Sequence, residues 1–240
     1  MARATPGASA WRSVLKSHPI KLIGKDSIFF RCRSSVREQC YGEPTAIGLK
    51  ELLRRWPAEV AVDESSILYD IGAGFGRLSA FLRLHTNASM VHGVEINECR
   101  HRNAIALRDT VVRESPTAAS TFDVLLGDVR TLGFADATHI ILASQCWSEE
   151  LLANVFTQAL AARRLRCVVL ISRQLPRAWS SRLSGLADSF GHAVAINYLS
   201  TTYSGASAVF FRRGDCRTGR GEKHDWSLRR GARTTRTSRC

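Results

Sequence analysis

Between residues 44 and 212 the chain alternates two hydrophobic periods. Short apolar runs stand at residues 67–69, 90–94, 122–126, 138–143, 167–172, 193–199 and 207–212. They are strand-length and bounded by turn-forming residues. Between them, apolar positions recur at helical spacing: Ile47 to Trp56, Leu78 to Leu82, residues 98–114, residues 148–162 and residues 177–190. Pro44 suits a first helical turn, Pro57 a helix end, and Ser148 an N-cap followed by Glu149 and Glu150. Strands alternating with helices predict a parallel sheet covered on both faces. The last two runs, joined by Thr201 to Gly205, predict an antiparallel hairpin that closes a seven-stranded, mostly parallel sheet.

The flanks lack this pattern. Residues 1–27 mix Ser, Ala, Pro and Arg, with Asp26 as the first acid, and read as a basic flexible segment. Its acid-poor composition is that of a transit peptide, but its amphipathic pattern is poor. Residues 28–212 read as one folded domain and residues 213–240 as an Arg-rich disordered tail. The net charge of +13 follows this division. Residues 1–43 carry eight Lys/Arg against three Asp/Glu, residues 44–211 sixteen against fifteen, and residues 212–240 ten against three. Basic ends on a nearly neutral centre favour DNA or RNA contact through the termini. The seven cysteines form no C-x-x-C pair and read as reduced thiols. Neither His nor Cys shows metal-ligand spacing, so no metal is expected. No apolar run is long enough to span a bilayer, so no membrane partner is expected.

The candidate chemistry sits between Asp70 and Glu95. An apolar run ends in Asp70, and Gly72-Ala73-Gly74-Phe75-Gly76 leads into a helical pattern. The next apolar run ends in Glu95. Glycines let the backbone approach a ligand, and the helix behind them aims its N-terminus at it. An acid about 20 residues past such a turn can accept the hydroxyls of a ribose. A dinucleotide turn has the form G-x-G-x-x-G, whereas this one is G-x-G-x-G preceded by an acid. It resembles the first motif of class I S-adenosylmethionine (SAM) methyltransferases. That resemblance implies a three-layer Rossmann-like α/β fold with SAM as cofactor. Asp70, Gly72, Ala73, Gly74 and Gly76 would hold its amino acid end and Glu95 its ribose. Asp128 and Val129, after the third strand, would meet its adenine.

A longer stretch, residues 40–212, resembles the disruptor-of-telomeric-silencing (DOT) family of non-SET histone lysine methyltransferases. Tyr41-Gly42-Glu43 stands before the first helix, Asp70 to Gly76 forms the glycine turn, and Gly93-Val94-Glu95 and Gly127-Asp128 follow. The resemblance implies a protein lysine N-methyltransferase acting on histone in a nucleosome, as a monomer in the nucleus. Cytoplasm and mitochondrion are the alternative compartments. Tyr41 and Glu43 would close over the cofactor and, with Gln145 and Trp147, serve catalysis. Ser144, Trp147, Tyr203 and Phe210 would line a lysine channel, where aromatic walls suit an ammonium group. Where the family has Asn-Asn-Phe after strand four, this chain has Ala143 to Gln145. It also lacks the Asp/Asn-Pro-Pro-Tyr of base-amine methylases and the Pro-Cys of pyrimidine methylases. Two alternatives therefore stand beside it: a class I methyltransferase acting on RNA or a non-histone protein, and a non-catalytic module that binds SAM or nucleic acid.

Overall fold

The structure is a computed structural model, and it describes residues 7–17, 44–144, 147–172, 180–199 and 206–213. Its centre is a seven-stranded sheet in the order β3-β2-β1-β4-β5-β7-β6. The strands are β1 (Ile67–Ile71), β2 (Met90–Glu95), β3 (Phe122–Leu126), β4 (His139–Ala143), β5 (Cys167–Ser172), β6 (Gly191–Leu199) and β7 (Ala206–Arg213). The first five pair in parallel, and β7 pairs antiparallel with both β5 and β6. The fold class expected from the hydrophobic pattern is thus the one observed.

Alternation along the strands divides the core into two layers. Leu68, Ile141, Val169, Ile171 and Phe210 face one side, and Tyr69, Ile71, Ile140, Leu142 and Phe211 the other. The first face is covered by α1 (Gly7–Ser17), α2 (Ala46–Arg54), α3 (Arg77–His85) and α4 (Glu98–Glu114). The second is covered by α5 (Val129–Leu132), α6 (Glu149–Ala161) and α7 (Ser181–Asp188). Among the described residues no helix is long and apolar enough to cross a membrane.

Caps explain the helix starts. The side chains of Thr45, Asn97, Asp128, Ser148 and Ser180 each accept a backbone N–H of the first turn. Pro44 therefore lies before the cap of α2 rather than inside its first turn, because the Thr45 hydroxyl takes the Gly48 N–H.

Two expectations are corrected. The segment expected to be flexible contains α1, whose Trp11 and Val14 are buried in the first core layer. Trp11 meets Phe81 edge-on at 5.1 Å, and Ser13 donates to Glu114 at 2.8 Å. These contacts hold the helix against α3 and α4. The thiols are not all reduced: Cys99, in the first turn of α4, is disulfide-bonded. Cys167 is free and buried, and burial pushes its thiol well above the ordinary range.

Candidate cofactor site

The site forms where β1 and β2 end. Gly72, Gly74 and Gly76 have φ of 78°, 59° and 76°, the left-handed region that L side chains avoid. These three residues turn the chain tightly enough for Gly72 N–H and Ala73 N–H both to donate to the Val94 carbonyl, at 2.8 and 2.9 Å. The turn is thereby sewn to the neighbouring strand. Gly93 lets it settle there. A Cβ at Gly93 would lie 2.9 Å from Ser79 Oγ and 3.1 Å from the Ala73 methyl.

The two acids are buried, Asp70 at 1% and Glu95 at 3% exposure. Ser79 Oγ donates to Asp70 at 2.6 Å, which ties β1 to the first turn of α3. Glu95 accepts Gly74 N–H on one oxygen at 2.7 Å and Asn97 N–H on the other at 2.8 Å. Arg100, itself buried, brings a guanidinium nitrogen to 3.9 Å from Glu95. A carboxylate has about four acceptor positions, so Glu95 can accept a pair of hydroxyls while keeping both backbone partners. This arrangement fits the ribose of a nucleoside cofactor.

Asp128 is placed differently. It caps α5, and Arg130 Nε donates to its two oxygens at 3.0 and 2.9 Å. The hydrogen bonds from Arg130 hold its carboxyl below the usual range. An adenine amine would share that carboxylate with Arg130. The Val129 side chain is buried in the second core layer.

Two residues not singled out in the sequence flank Glu95. Ile96 is 41% exposed and Leu126 is 47% exposed, and Leu126 is the register partner of Glu95 on β3. Apolar side chains kept at the surface beside a polar cleft offer walls for a flat ring. The signal lay in the sequence as an apolar residue at the end of one strand, Leu126, and directly after the end of another, Ile96.

At the end of β4, Ser144 is 4% exposed and its Oγ has no hydrogen-bond partner among the described residues. A buried unpaired hydroxyl costs about 1–3 kcal/mol, which a ligand polar atom would recover. The nearby Trp147 ring comes within 3.1 Å of where a Gly72 Cβ would stand. The structure thus brings Ser144 and Trp147 to the mouth beside the glycine turn. Phe210 is corrected: it is 1% exposed in the first core layer, edge-on to Trp56 at 5.1 Å, and lines no channel. Its strand position alternates inward, and Trp56 fills the space beside it. Tyr41, Glu43, Gln145 and Tyr203 lie outside the described residues. Among the described residues no group of His, Cys, Asp and Glu is gathered as a metal site.

No family model matches the chain, and no curated protein matches it. Solved structures do. TrmK of M. capricolum, in complex with S-adenosyl-homocysteine, aligns at TM-score 0.50 and 10% identity over 71% of this chain and 70% of that one. The dimethyladenosine transferase of Plasmodium falciparum aligns at TM-score 0.51 and 15% identity, over 72% and 63%. The Streptococcus pneumoniae protein Sp1610, in complex with SAM, aligns at TM-score 0.50 and 14% identity, over 71% and 73%. At such identities the likeness is one of fold. The fold is that of the class I SAM-dependent methyltransferases.

Proposed function

We propose that this chain is a SAM-dependent methyltransferase acting on RNA. The observation that carries the methyl-transfer reading is the junction of turn and acid. A turn of three left-handed glycines is fixed to β2 through Gly72, Ala73 and Gly74, and buried Glu95 is fixed by Gly74 N–H with acceptor positions to spare. SAM supplies a methyl group already activated on sulfonium. The residues of the chain are left to bind, orient and exclude water. The turn from Gly72 to Gly76, with Asp70 beneath it, would meet the amino acid end. Glu95 would hold the ribose, Ile96 and Leu126 the faces of the adenine, and Asp128 its amine. Ser144 Oγ would take a polar atom at the mouth, with Trp147 excluding water from it.

RNA is supported by the basic balance of the chain, +13, which suits a polyanionic substrate. The fold neighbours include a protein to which tRNA methyltransferase activity is ascribed, in keeping with this choice. A second reading, lysine methylation on a histone, is favoured by Tyr41-Gly42-Glu43 preceding α2 and the glycine turn.

The test is transfer of labelled methyl from SAM to bulk tRNA, nucleosomes and free histones, with Asp70→Ala as control. Label on RNA that vanishes in the control is the expected result. Label on histone alone overturns RNA in favour of the second reading. SAM binding with transfer to none of them overturns both.

A further inference from the structure

By sequence, residues 44–211 are close to neutral, but the fold joins three of their arginines to the first two of the basic stretch that follows. The loop between α6 and β5 carries Arg163, Arg164 and Arg166, and β7 ends in Arg212 and Arg213. Because β7 runs antiparallel to β5, Cys167 pairs with Arg212, and Arg213 N–H donates to the Arg166 carbonyl at 3.0 Å. The pairing gathers five arginines from two distant stretches at one edge of the sheet, the rim formed by strand ends rather than by an edge strand. This is the edge where β5 starts, opposite the cofactor site and about 20 Å from it at about 3.3 Å per strand residue.

Three of the five build the edge. Arg213 donates to the Leu160 carbonyl at 3.1 Å and to that of Ala162, closing the negative end of α6. Arg166 pairs with Asp63 at 2.7 Å, and Arg164 donates to the Ser65 carbonyl at 3.3 Å. Asp63 is the one carboxylate paired with any of the five among the described residues. Arg163 is exposed and Arg212 partly exposed, and among the described residues neither side chain has a hydrogen bond or ion pair. Beyond Arg213 the sequence adds eight Lys/Arg against three Asp/Glu.

We infer that this edge, from Arg163 to Arg213, is a docking surface for the phosphate backbone of RNA. The proposal rests on the RNA reading above and adds where the substrate is held. Two guanidiniums with no acceptor among the described residues, beside three braced ones, suit phosphate oxygens, which accept from arginine in bidentate fashion. The span of about 20 Å between edge and cofactor site suits a nucleic acid, which can reach both ends of the sheet at once. It also predicts a pattern that base contacts would not give: affinity tuned by salt and little by sequence.

The test uses the full chain and a fluorescein-labelled RNA hairpin, titrated at several salt concentrations. Arg163→Glu with Arg212→Glu should raise the Kd about tenfold and lower the slope of log affinity against log salt by about 1–2. The same reversal on the helical layer, Arg12→Glu with Arg102→Glu, should change it less than about twofold. If the first pair does not fold, Arg163→Gln with Arg212→Gln replaces it, with the same direction expected. Equal weakening by both pairs, or by neither, overturns the surface. Displacement of the hairpin by polyglutamate as efficient as by unlabelled RNA overturns RNA as its occupant. Methyl transfer separates this from the proposed function. Arginine-dependent hairpin binding without RNA methylation keeps the surface and removes the reaction. RNA methylation with unchanged binding in both variants does the reverse.

Discussion

At one edge of the sheet Asp70 and Glu95 are buried, while at the other five arginines stay at or near the surface. The two edges handle charge by different physics. A buried carboxylate persists only where donors compensate its lost hydration, and here Ser79, Gly74 and Asn97 are those donors. Of these arginines, Arg164 and Arg213 donate to carbonyl oxygens, Arg166 to the Asp63 carboxylate and Ser65 hydroxyl, and Arg163 and Arg212 face solvent. The first edge is preorganised for one small ligand. The second is open and suits a partner that brings its own charge.

The largest expected effect is at the buried edge. Glu95→Ala leaves the Gly74 and Asn97 N–H groups without their acceptor and takes the carboxylate from beside Arg100. We expect a loss of about 4 kcal/mol in urea denaturation, two buried donors at roughly 2 kcal/mol each, and no SAM binding by calorimetry. A stable variant that still binds SAM would break the comparison.

The open edge has its own titrating group. His139, at the start of β4, is fully buried, and burial lowers its pKa to about 4. Its Nε2–H donates to the Val60 carbonyl at 3.0 Å, which opposes the shift, but burial outweighs it and the neutral ring is the native form. The unfolded chain, with histidine near 6.5, binds more protons than the native one between pH 4 and 6.5. Stability therefore rises with pH through that window, by roughly 3 kcal/mol, and is flat above it as far as this group is concerned. Urea midpoints at acidic and neutral pH measure this, and the difference should shrink in His139→Gln.

Smaller effects sharpen the picture. Gly93→Ala places a methyl against Ser79 Oγ and Ala73, so α3 and the turn must shift. We expect a loss of about 2 kcal/mol, with SAM affinity falling alongside in calorimetry. Ser144→Ala removes an unpaired hydroxyl from the mouth. The ligand-free protein should gain up to about 1 kcal/mol in thermal melts while methyl transfer falls. A loss of stability instead would show that the hydroxyl already has a partner.

Much of the fold was legible because its signals are local. Residues 98–114 form the expected helix, and residues 122–126 and 167–172 the expected strands, since periodicity and caps act over a few neighbours. The cofactor turn was legible for the same reason: left-handed φ is a property of glycine itself. Asp70 and Glu95 could be named from their places at strand ends, though their donors could not.

The amino-acid sequence by itself determined the alternation of strands and helices, the closing hairpin and the glycine turn with its two acids. It did so through backbone preferences and hydrophobic period, which operate between near neighbours. Tertiary structure alone decided the rest. Trp11 becomes core because Phe81 and His85 of α3 meet it. Phe210 becomes core because Trp56 does. Arg163 and Arg212 become one surface because the antiparallel register of β7 ends where β5 begins. Each outcome depends on residues far apart in the chain, so its cause lies in packing and pairing geometry that no local pattern encodes.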